Sequence, residues 1–279
     1  MRTIWLAVLL GVLGLVACAD SIYGTSGNTY DDILVACGSK TCGVSHGVTC
    51  GTCTGQNYCD GTQCVDVTQG MVTVPGGTLT LGASDISDNK PHSSTVATFQ
   101  MDVTEVTVAA YKWCVDATKC STSGDTRNCN GGISGRENCP INCVNWQQAT
   151  NFCSWAGKRL PTEEEWEYAA RYDDSRDYPW GNTAPSTKLV DFYTYGSRAV
   201  GSFPAGASKL GILDLAGSVW EWTSTWYCDT PPCTGTTGSG PVYRGGSCYN
   251  DNSCLRASRR FGDTPEGGSS LGIRCARTP

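Results

Sequence analysis

The chain has 279 residues, and 20 Lys and Arg residues against 26 Asp and Glu residues give it a formal net charge of -6 at pH 7. An acidic surface repels nucleic acid, so we expect no nucleic-acid partner. Charged residues make up 16% of the chain and aromatic residues 9%, which indicates a folded rather than a disordered protein. The 18 cysteines exclude a reducing cytosol and indicate an exported, disulfide-bonded protein.

The N-terminus has the pattern of a secretory signal peptide over residues 1–17. The apolar run from Ile4 to Ala17 is shorter than the roughly 18 residues needed to cross a membrane. The four residues that end at Cys18 resemble a bacterial lipobox, which predicts lipidation of that cysteine; ordinary cleavage nearby is the alternative. Residues 18–36 are polar and aperiodic and form the expected tether. We therefore expect a lipid-anchored protein of the bacterial cell envelope, sorted to the outer membrane because Ala19 rather than Asp follows the cysteine.

A cysteine-rich module is predicted over residues 37–66. It has few large apolar side chains, so three disulfides are expected to replace a hydrophobic core, in a pairing that the sequence leaves open. Its cysteines are Cys37, Cys42, Cys50, Cys53, Cys59 and Cys64. A zinc site built from Cys50, Cys53 and His46 is the alternative, and export favours the disulfides.

A larger domain begins near residue 70. Apolar and polar residues alternate from Met71 to Ala83, which predicts two short strands across a Pro-Gly-Gly turn. Thr107 has the position of an N-cap for the helix that follows. Cys114 and Cys120 lie at the end of that helix and are expected to pair locally.

Two further helices have strong start signals. Asn145 with Gln148 forms one capping box, and Gly157 ends that helix. Thr162 with Glu165 forms the second capping box, and acidic residues in a first turn stabilise the helix dipole. This acidic run therefore has a structural explanation and is not predicted to be catalytic.

The remaining cysteines of the domain suggest local pairs. Spacing favours Cys129 with Cys143 and Cys228 with Cys233. Apart from the lipidated residue, 17 cysteines remain, an odd number, so at least one thiol is free, used, or paired with another molecule. Cys139 is our choice for the odd cysteine.

The stretch from Tyr243 to Arg277 combines glycine pairs, arginines and cysteines without a regular period. Such a composition is typical of a shaped loop region rather than a helix or strand. Cys248 and Cys254 form either a reactive or metal-binding thiol pair or a local disulfide.

Five blocks of the sequence resemble the formylglycine-generating enzyme family, also called the sulfatase-modifying factor domain. They are KRLPTEEEWEYAAR at 158–171, YPWGN at 178–182, LAGSVWEWT at 215–223, RGGS at 244–247 and LGIRCA at 271–276. The resemblance covers about residues 70–277. It implies a single α+β domain related to the C-type lectin fold, with little regular secondary structure, long loops, and a disulfide between Cys153 and Cys275.

The resemblance also implies a calcium site in the tryptophan-rich loop. Its ligands would be the carboxylates of Asp214 and Glu221 and the carbonyls of Gly217 and Val219, which are the hard oxygens that calcium requires. The alternative is that Glu221 forms a salt bridge in the core. A second calcium site has Asp191 as its only counterpart here and is not predicted.

Members of the family convert a cysteine of a sulfatase peptide to formylglycine with dioxygen and Cu(I) held by two thiolates. Cys248 and Cys254 would be the counterparts of the copper ligands, and Ser247 and Arg260 would line the cleft. The pair departs from the pattern, because Cys248 follows Ser247 directly and five residues rather than four separate the cysteines. Soft-metal geometry tolerates little displacement.

The sequence therefore favours a non-catalytic variant that binds a protein, peptide or glycan. The alternative is a copper-dependent oxidase that acts on a protein cysteine, and a third, weaker possibility is a purely structural envelope protein. Only His46 and His92 are present, so histidine-based triads, zinc hydrolases of the HExxH type and non-haem iron facial triads lack their residues.

Overall fold

The computed structural model describes residues 70–124, 128–233, 238–262 and 265–279, together with four short strands between residues 44 and 66. The predicted signal peptide, Cys18, the tether and the disulfide pairing of the module at 37–66 lie outside the described residues. No helix in the described part of the chain is long and apolar enough to cross a membrane.

Regular elements are short, as expected. The helices are α1 (Val108–Asp116), α2 (Trp146–Trp155) and α3 (Glu163–Arg171). The strands are β1 (Val44–Ser45), β2 (Val48–Thr49), β3 (Asn57–Cys59), β4 (Cys64–Asp66), β5 (Met71–Val74), β6 (Gly77–Leu81), β7 (His92–Val96), β8 (Phe99–Asp102), β9 (Trp220–Trp226), β10 (Pro241–Arg244), β11 (Arg260–Gly262), β12 (Leu271–Gly272) and β13 (Ala276–Arg277). The structure is thus a small mixed α/β fold with few helices.

Each helix begins at its predicted cap. The Thr107 side chain accepts a hydrogen bond from the backbone N–H of the third residue of α1 at 3.1 Å. Asn145 and Gln148 satisfy each other's backbone N–H groups at 2.8 Å, and Thr162 and Glu165 do the same at 3.1 and 2.9 Å. These caps depend on residues three positions apart, which is why the sequence was sufficient to find them.

The predicted strands across the Pro-Gly-Gly turn exist but do not pair with each other. β5 pairs with β8, whereas β6 pairs with β7. A Cβ atom on Gly76 would lie 2.6 Å from the backbone nitrogen of Thr98, so the turn packs tightly against the connection between β7 and β8. This packing separates β5 and β6 into different sheets and prevents a hairpin.

The core surrounds β9 and α3. β9 lies between β10 and β12 in a four-stranded sheet completed by β11, and β13, β8 and β5 form a second sheet. Helix α3 packs against β6, β7, β9 and β10, and its Trp166 is fully buried. Helix α2 packs against β9 and α1.

Disulfides fasten the loops to this core. The bridges join Cys114 to Cys120, Cys129 to Cys143, Cys153 to Cys275 and Cys228 to Cys233. The bridge from α2 to the residue before β13 is the one implied by the family resemblance, and it spans 122 positions of sequence. Cys139 is also disulfide-bonded, so the prediction that it is the odd cysteine is wrong.

Candidate functional site

The loop that carries Cys248 and Cys254 begins, directly after β10, with two glycines that no other residue type can replace. Gly245 and Gly246 have φ values of 99° and 81°, in the left-handed region that other residues avoid. A Cβ atom on Gly246 would lie 2.9 Å from the Leu255 side chain and 3.1 Å from the carbonyl oxygen of Cys254. The glycines therefore let the start and the end of this loop pass in close contact.

A buried ion-pair network holds the base of the loop. The Arg244 guanidinium lies 2.7 Å from a Glu167 carboxylate oxygen and 2.9 Å from one of Glu163. Glu163 in turn binds Arg260 at 2.6 and 3.0 Å. The acidic first turn of α3 thus serves to anchor β10 and β11.

The expectation that Ser247 and Arg260 line an open cleft does not hold. Arg260 is 0% exposed, and its guanidinium stacks 4.3 Å from the centre of the Tyr227 ring. Ser247 is also buried, and its hydroxyl donates to the Asn250 side chain at 2.8 Å. Both side chains stabilise the domain from within.

Cys248 is buried inside the loop. Only 1% of the residue is exposed, its N–H donates to the Ser218 carbonyl at 2.8 Å, and its carbonyl accepts from the N–H of Thr194 at 2.7 Å. Burial raises the pKa of the Cys248 thiol to about 12, and the negative charge of Asp191 adds to this. The thiol is therefore protonated at neutral pH.

Cys254 ends a short 3-10 turn, Asn252–Cys254, at the surface. The Asp251 side chain caps this turn by accepting from the Ser253 N–H at 2.9 Å. Cys254 is partly exposed, and both Cys254 and Cys248 are free thiols. The local disulfide that the sequence allowed is not formed.

Asp191 organises the loop next to the cysteines. Its buried carboxylate accepts from the Thr194 hydroxyl at 3.1 Å and from the Arg198 N–H at 2.9 Å, and burial raises its pKa. Its carbonyl accepts from the Ser218 N–H at 3.0 Å. The family resemblance named Asp191 only as the one counterpart of a second calcium site. In the structure, Asp191 holds a surface loop in place.

The predicted calcium loop surrounds a buried acidic cluster. Glu221 is fully buried and binds Arg274 at 2.8 to 3.0 Å and the Trp166 indole N–H at 2.6 Å. Asp214 accepts from the N–H of Gly201 at 2.6 Å. The salt-bridged glutamate proposed as the alternative is thus present, and it lies beside the second predicted carboxylate ligand.

Glu105 is a third member of this cluster that the sequence analysis missed. One of its oxygens accepts from the Val219 N–H at 3.4 Å, and the other is buried without a hydrogen-bond partner among the described residues. Burial and the charges of Asp214 and Glu221 hold its pKa well above the usual range. The signal was available, because Glu105 is an isolated acid in an otherwise uncharged run just before α1.

The backbone around the cluster is unusual. Asp214 and Ser218 have φ values of 59° and 57°, and Gly217 has 76°. A Cβ atom on Gly217 would lie 2.1 Å from the carbonyl oxygen of Asp191, so only glycine fits there. Non-glycine residues in the left-handed region persist only where the surroundings hold them, which is frequent at ligand sites.

The cluster has more acids than bases. Three carboxyl groups, those of Glu105, Asp214 and Glu221, face one guanidinium, that of Arg274, so burial and crowding disfavour the ionised form of Glu105. Burial raises the pKa of Asp214 to about 6, and Glu221 adds to this. No three acidic, Cys or His side chains of the described residues converge into a metal site by themselves. A cation here would therefore take further oxygens from backbone carbonyls, as the predicted ligand set requires.

Comparison with known proteins agrees with this architecture. The model of the sulfatase-modifying factor enzyme 1-like domain matches residues 60–279. The formylglycine-generating enzyme of Streptomyces coelicolor is 37% identical over 173 residues, which cover 52% of this chain and 54% of that protein. The inactive C-alpha-formylglycine-generating enzyme 2 of Bos taurus is 35% identical over 164 residues, which cover 52% of each chain. This chain therefore spans about half the length of these curated relatives.

A solved structure shares the fold. PvdO from Pseudomonas aeruginosa matches with a TM-score of 0.65 and 22% identity, over 75% of this chain and 94% of the other. At that identity the likeness concerns the fold alone. Since the family model covers most of the sequence, the chain belongs to the family of sulfatase-modifying factor enzyme 1-like domains.

Proposed function

We propose that this domain is a non-catalytic binding module for a protein, peptide or glycan, built on a scaffold related to the C-type lectin fold. The observation that supports the proposal is the burial of Cys248, of which only 1% is exposed. A two-thiolate copper site needs both sulfur atoms within reach of the metal and of the substrate thiol, and the enclosed Cys248 does not offer that access.

The similarity to known proteins leaves room for either outcome. One relative is named as an enzyme and another as inactive, at nearly the same identity to this chain. Membership of the family therefore does not by itself imply oxidase activity, and the cysteine loop is the basis of the proposal.

Calcium is the proposed structural cofactor. The acidic cluster fits a divalent cation, because it has more carboxyl groups than arginines, an oxygen of Glu105 without a partner among the described residues, and a bent backbone. The proposed ligands are the carboxylates of Asp214 and Glu221 and the carbonyls of Gly217 and Val219, and Glu105 is the nearby acid whose charge the ion would compensate. A bound ion would supply charge balance and fix the loop.

The proposed location is the bacterial cell envelope. The apolar N-terminal run, Cys18 at its end and the disulfides of the domain support an exported chain held by a lipid anchor. The proposed sorting to the outer membrane depends on Ala19. In that position the domain would face ligands outside the membrane.

A copper-dependent oxidase acting on a protein cysteine is the second candidate. It is favoured by one observation, that Cys248 and Cys254 are free thiols although other cysteines in the described part of the chain are paired. The test is an anaerobic Cu(I) titration of the mature chain and of its Cys248→Ala and Cys254→Ala variants. We expect that the wild type does not take up one equivalent of Cu(I) through Cys248 and Cys254, so the two variants should titrate like the wild type. Tight uptake of one copper, abolished by either substitution, would establish the oxidase site and refute the binding-only function.

A further inference from the structure

The exposed large apolar side chains of the described residues are concentrated in three loops. Ile133 is 40% exposed, Tyr193 78%, Tyr195 99% and Tyr249 36%. They lie on the loops at 130–138, 191–198 and 247–253. Scattered exposed apolar residues need no explanation, but a group confined to adjoining loops marks an interaction surface.

These three loops are joined into one surface, which we name the three-loop surface. Hydrogen bonds connect the Tyr193 N–H to the Asn250 carbonyl at 3.0 Å, the Thr194 N–H to the Cys248 carbonyl at 2.7 Å, and the Asn130 side-chain amide to the Ser197 hydroxyl at 2.8 Å. Arg136 of the first loop also acts on Tyr249 of the third, since its charge lowers the pKa of that phenol, against the larger effect of burial.

The three-loop surface is organised in advance of any ligand. The disulfide between Cys129 and Cys143 closes the first loop, and the Asp191 carboxylate ties the second loop together. Tyr193 itself has a φ of 57°, and its N–H bond to the third loop holds it there. A surface that is already ordered loses little conformational entropy on binding, so exposed side chains on it contribute more to affinity.

The composition of the surface indicates what it binds. Of the 19 residues in the three loops that are at least partly exposed, 12 are Tyr, Ser, Gly or Asn, the residues that dominate antibody paratopes. Tyr and Arg are also the residues enriched at protein-binding hot spots, and the loops contain Arg136 and Arg198. Glu137 and Asp251 balance these arginines, and the third acid of the loops, Asp191, is buried, so the exposed part of the surface is electrically neutral on a chain of net charge -6.

We propose that the three-loop surface binds a polypeptide partner, with Tyr193, Tyr195 and Tyr249 as the anchoring side chains. The partner would present an uncharged segment with apolar side chains and free hydrogen-bonding groups. This inference rests on the proposed function as a binding module and names its ligand class and its surface.

The test uses a phage-displayed library of random linear peptides, selected against the full mature chain. Selected peptides are then measured against a triple variant, Tyr193→Asn, Tyr195→Ser and Tyr249→Ser, in which asparagine tolerates the left-handed backbone. A matched control carries Lys112→Ala, Gln147→Ala and Ser154→Ala on the exposed sides of α1 and α2. Thermal unfolding of both variants verifies that they are folded.

We expect the selected peptides to bind the triple tyrosine variant with a Kd about 30-fold or more higher than for the wild type, the equivalent of one lost hot spot. Their Kd for the control variant should be unchanged. Equal binding to the tyrosine variant would refute the three-loop surface while leaving a binding module intact. Failure to select any peptide would also refute the inference. If the wild type bound neutral glycans on an array and the triple tyrosine variant did not, the ligand of the three-loop surface would be a glycan and the polypeptide proposal would be refuted. Copper uptake in the titration described above would instead refute the proposed function.

Discussion

The two free thiols should differ greatly in reactivity. Alkylation of the folded protein by iodoacetamide, without reducing agent, compares the reactivity of the two thiols. The thiolate is the reactive form of cysteine, so both ionisation and access control the rate. Cys248 is buried with a pKa of about 12, whereas Cys254 is partly exposed.

The size of the difference follows from the pKa of Cys248. At about pH 8, a thiol with a pKa of about 12 is ionised in roughly one molecule in 10,000. A free cysteine of ordinary pKa, about 8.5, is ionised in about one molecule in four. Ionisation alone therefore slows Cys248 by about a thousandfold or more relative to an ordinary thiol, and its burial slows it further.

Peptide mapping by mass spectrometry after timed labelling measures both rates in one sample. We expect rapid modification of Cys254 and modification of Cys248 only after the chain is unfolded in denaturant. The Cys254→Ser variant should lose the fast reaction, and Cys248→Ser should retain it at the same rate. These two variants serve as controls for each other.

Two results would contradict this reasoning. Labelling of Cys248 within tenfold of Cys254 would mean that its thiol is accessible and ionised, as a copper ligand must be. A peptide in which the two cysteines are joined would mean that the loop closes a disulfide in the exported protein. The first result would strengthen the oxidase, and the second would exclude both a thiolate pair and free-thiol labelling.

Three further predictions concern calcium, the buried network and a helix cap. Calcium at about 100 times its Kd should raise the free energy of unfolding by about 2.7 kcal/mol, measured by denaturant unfolding with calcium and with a chelator. The Glu105→Gln variant should gain less from calcium, whereas the surface variant Asp251→Asn should gain as much as the wild type. A wild-type protein whose stability does not change with calcium would refute the site. Glu167→Gln should cost about 3 to 5 kcal/mol, because it leaves the charge of Arg244 buried and poorly compensated. Burial alone would raise the pKa of Glu167, but its arginine partners lower that pKa below 4.5. The wild type should therefore lose stability as the pH falls from about 4.5 through the lowered pKa of Glu167. The Glu167→Gln variant should lack this part of the pH dependence. Thr162→Ala should cost about 1 kcal/mol in urea unfolding through loss of the cap, and no measurable change would show that the capping bond is not needed.

The sequence predicted the parts of the fold that depend on neighbouring residues. Capping boxes such as Asn145 with Gln148 are local, so they were found with their partners. The two strands across the turn at Gly76 were predicted, but their partners were not, because the pairing of β5 with β8 and of β6 with β7 is decided by contacts beyond the turn. Periodicity identifies a strand but does not choose its neighbour.

The candidate site shows the same division. Asp214 and Glu221 were named as a pair because the family resemblance implies a calcium loop in which both, seven positions apart, are ligands. Glu105 joins them from more than 100 residues earlier, and only the three-dimensional structure brings its carboxylate to the N–H of Val219. Burial also could not be read from the sequence around Arg260, which the family resemblance placed in a cleft and whose guanidinium is instead fully enclosed.

Ser218 connects the acidic cluster to the three-loop surface. Its neighbour Val219 donates its N–H to Glu105 at 3.4 Å, its own N–H donates to the Asp191 carbonyl at 3.0 Å, and its carbonyl accepts from the Cys248 N–H at 2.8 Å. With a φ of 57°, Ser218 stays in a strained conformation only while these contacts hold it. A cation bound in the acidic cluster would therefore fix, through Ser218, both loops that carry the exposed tyrosines. In the proposed binding module the acidic cluster would thus set the shape of the three-loop surface.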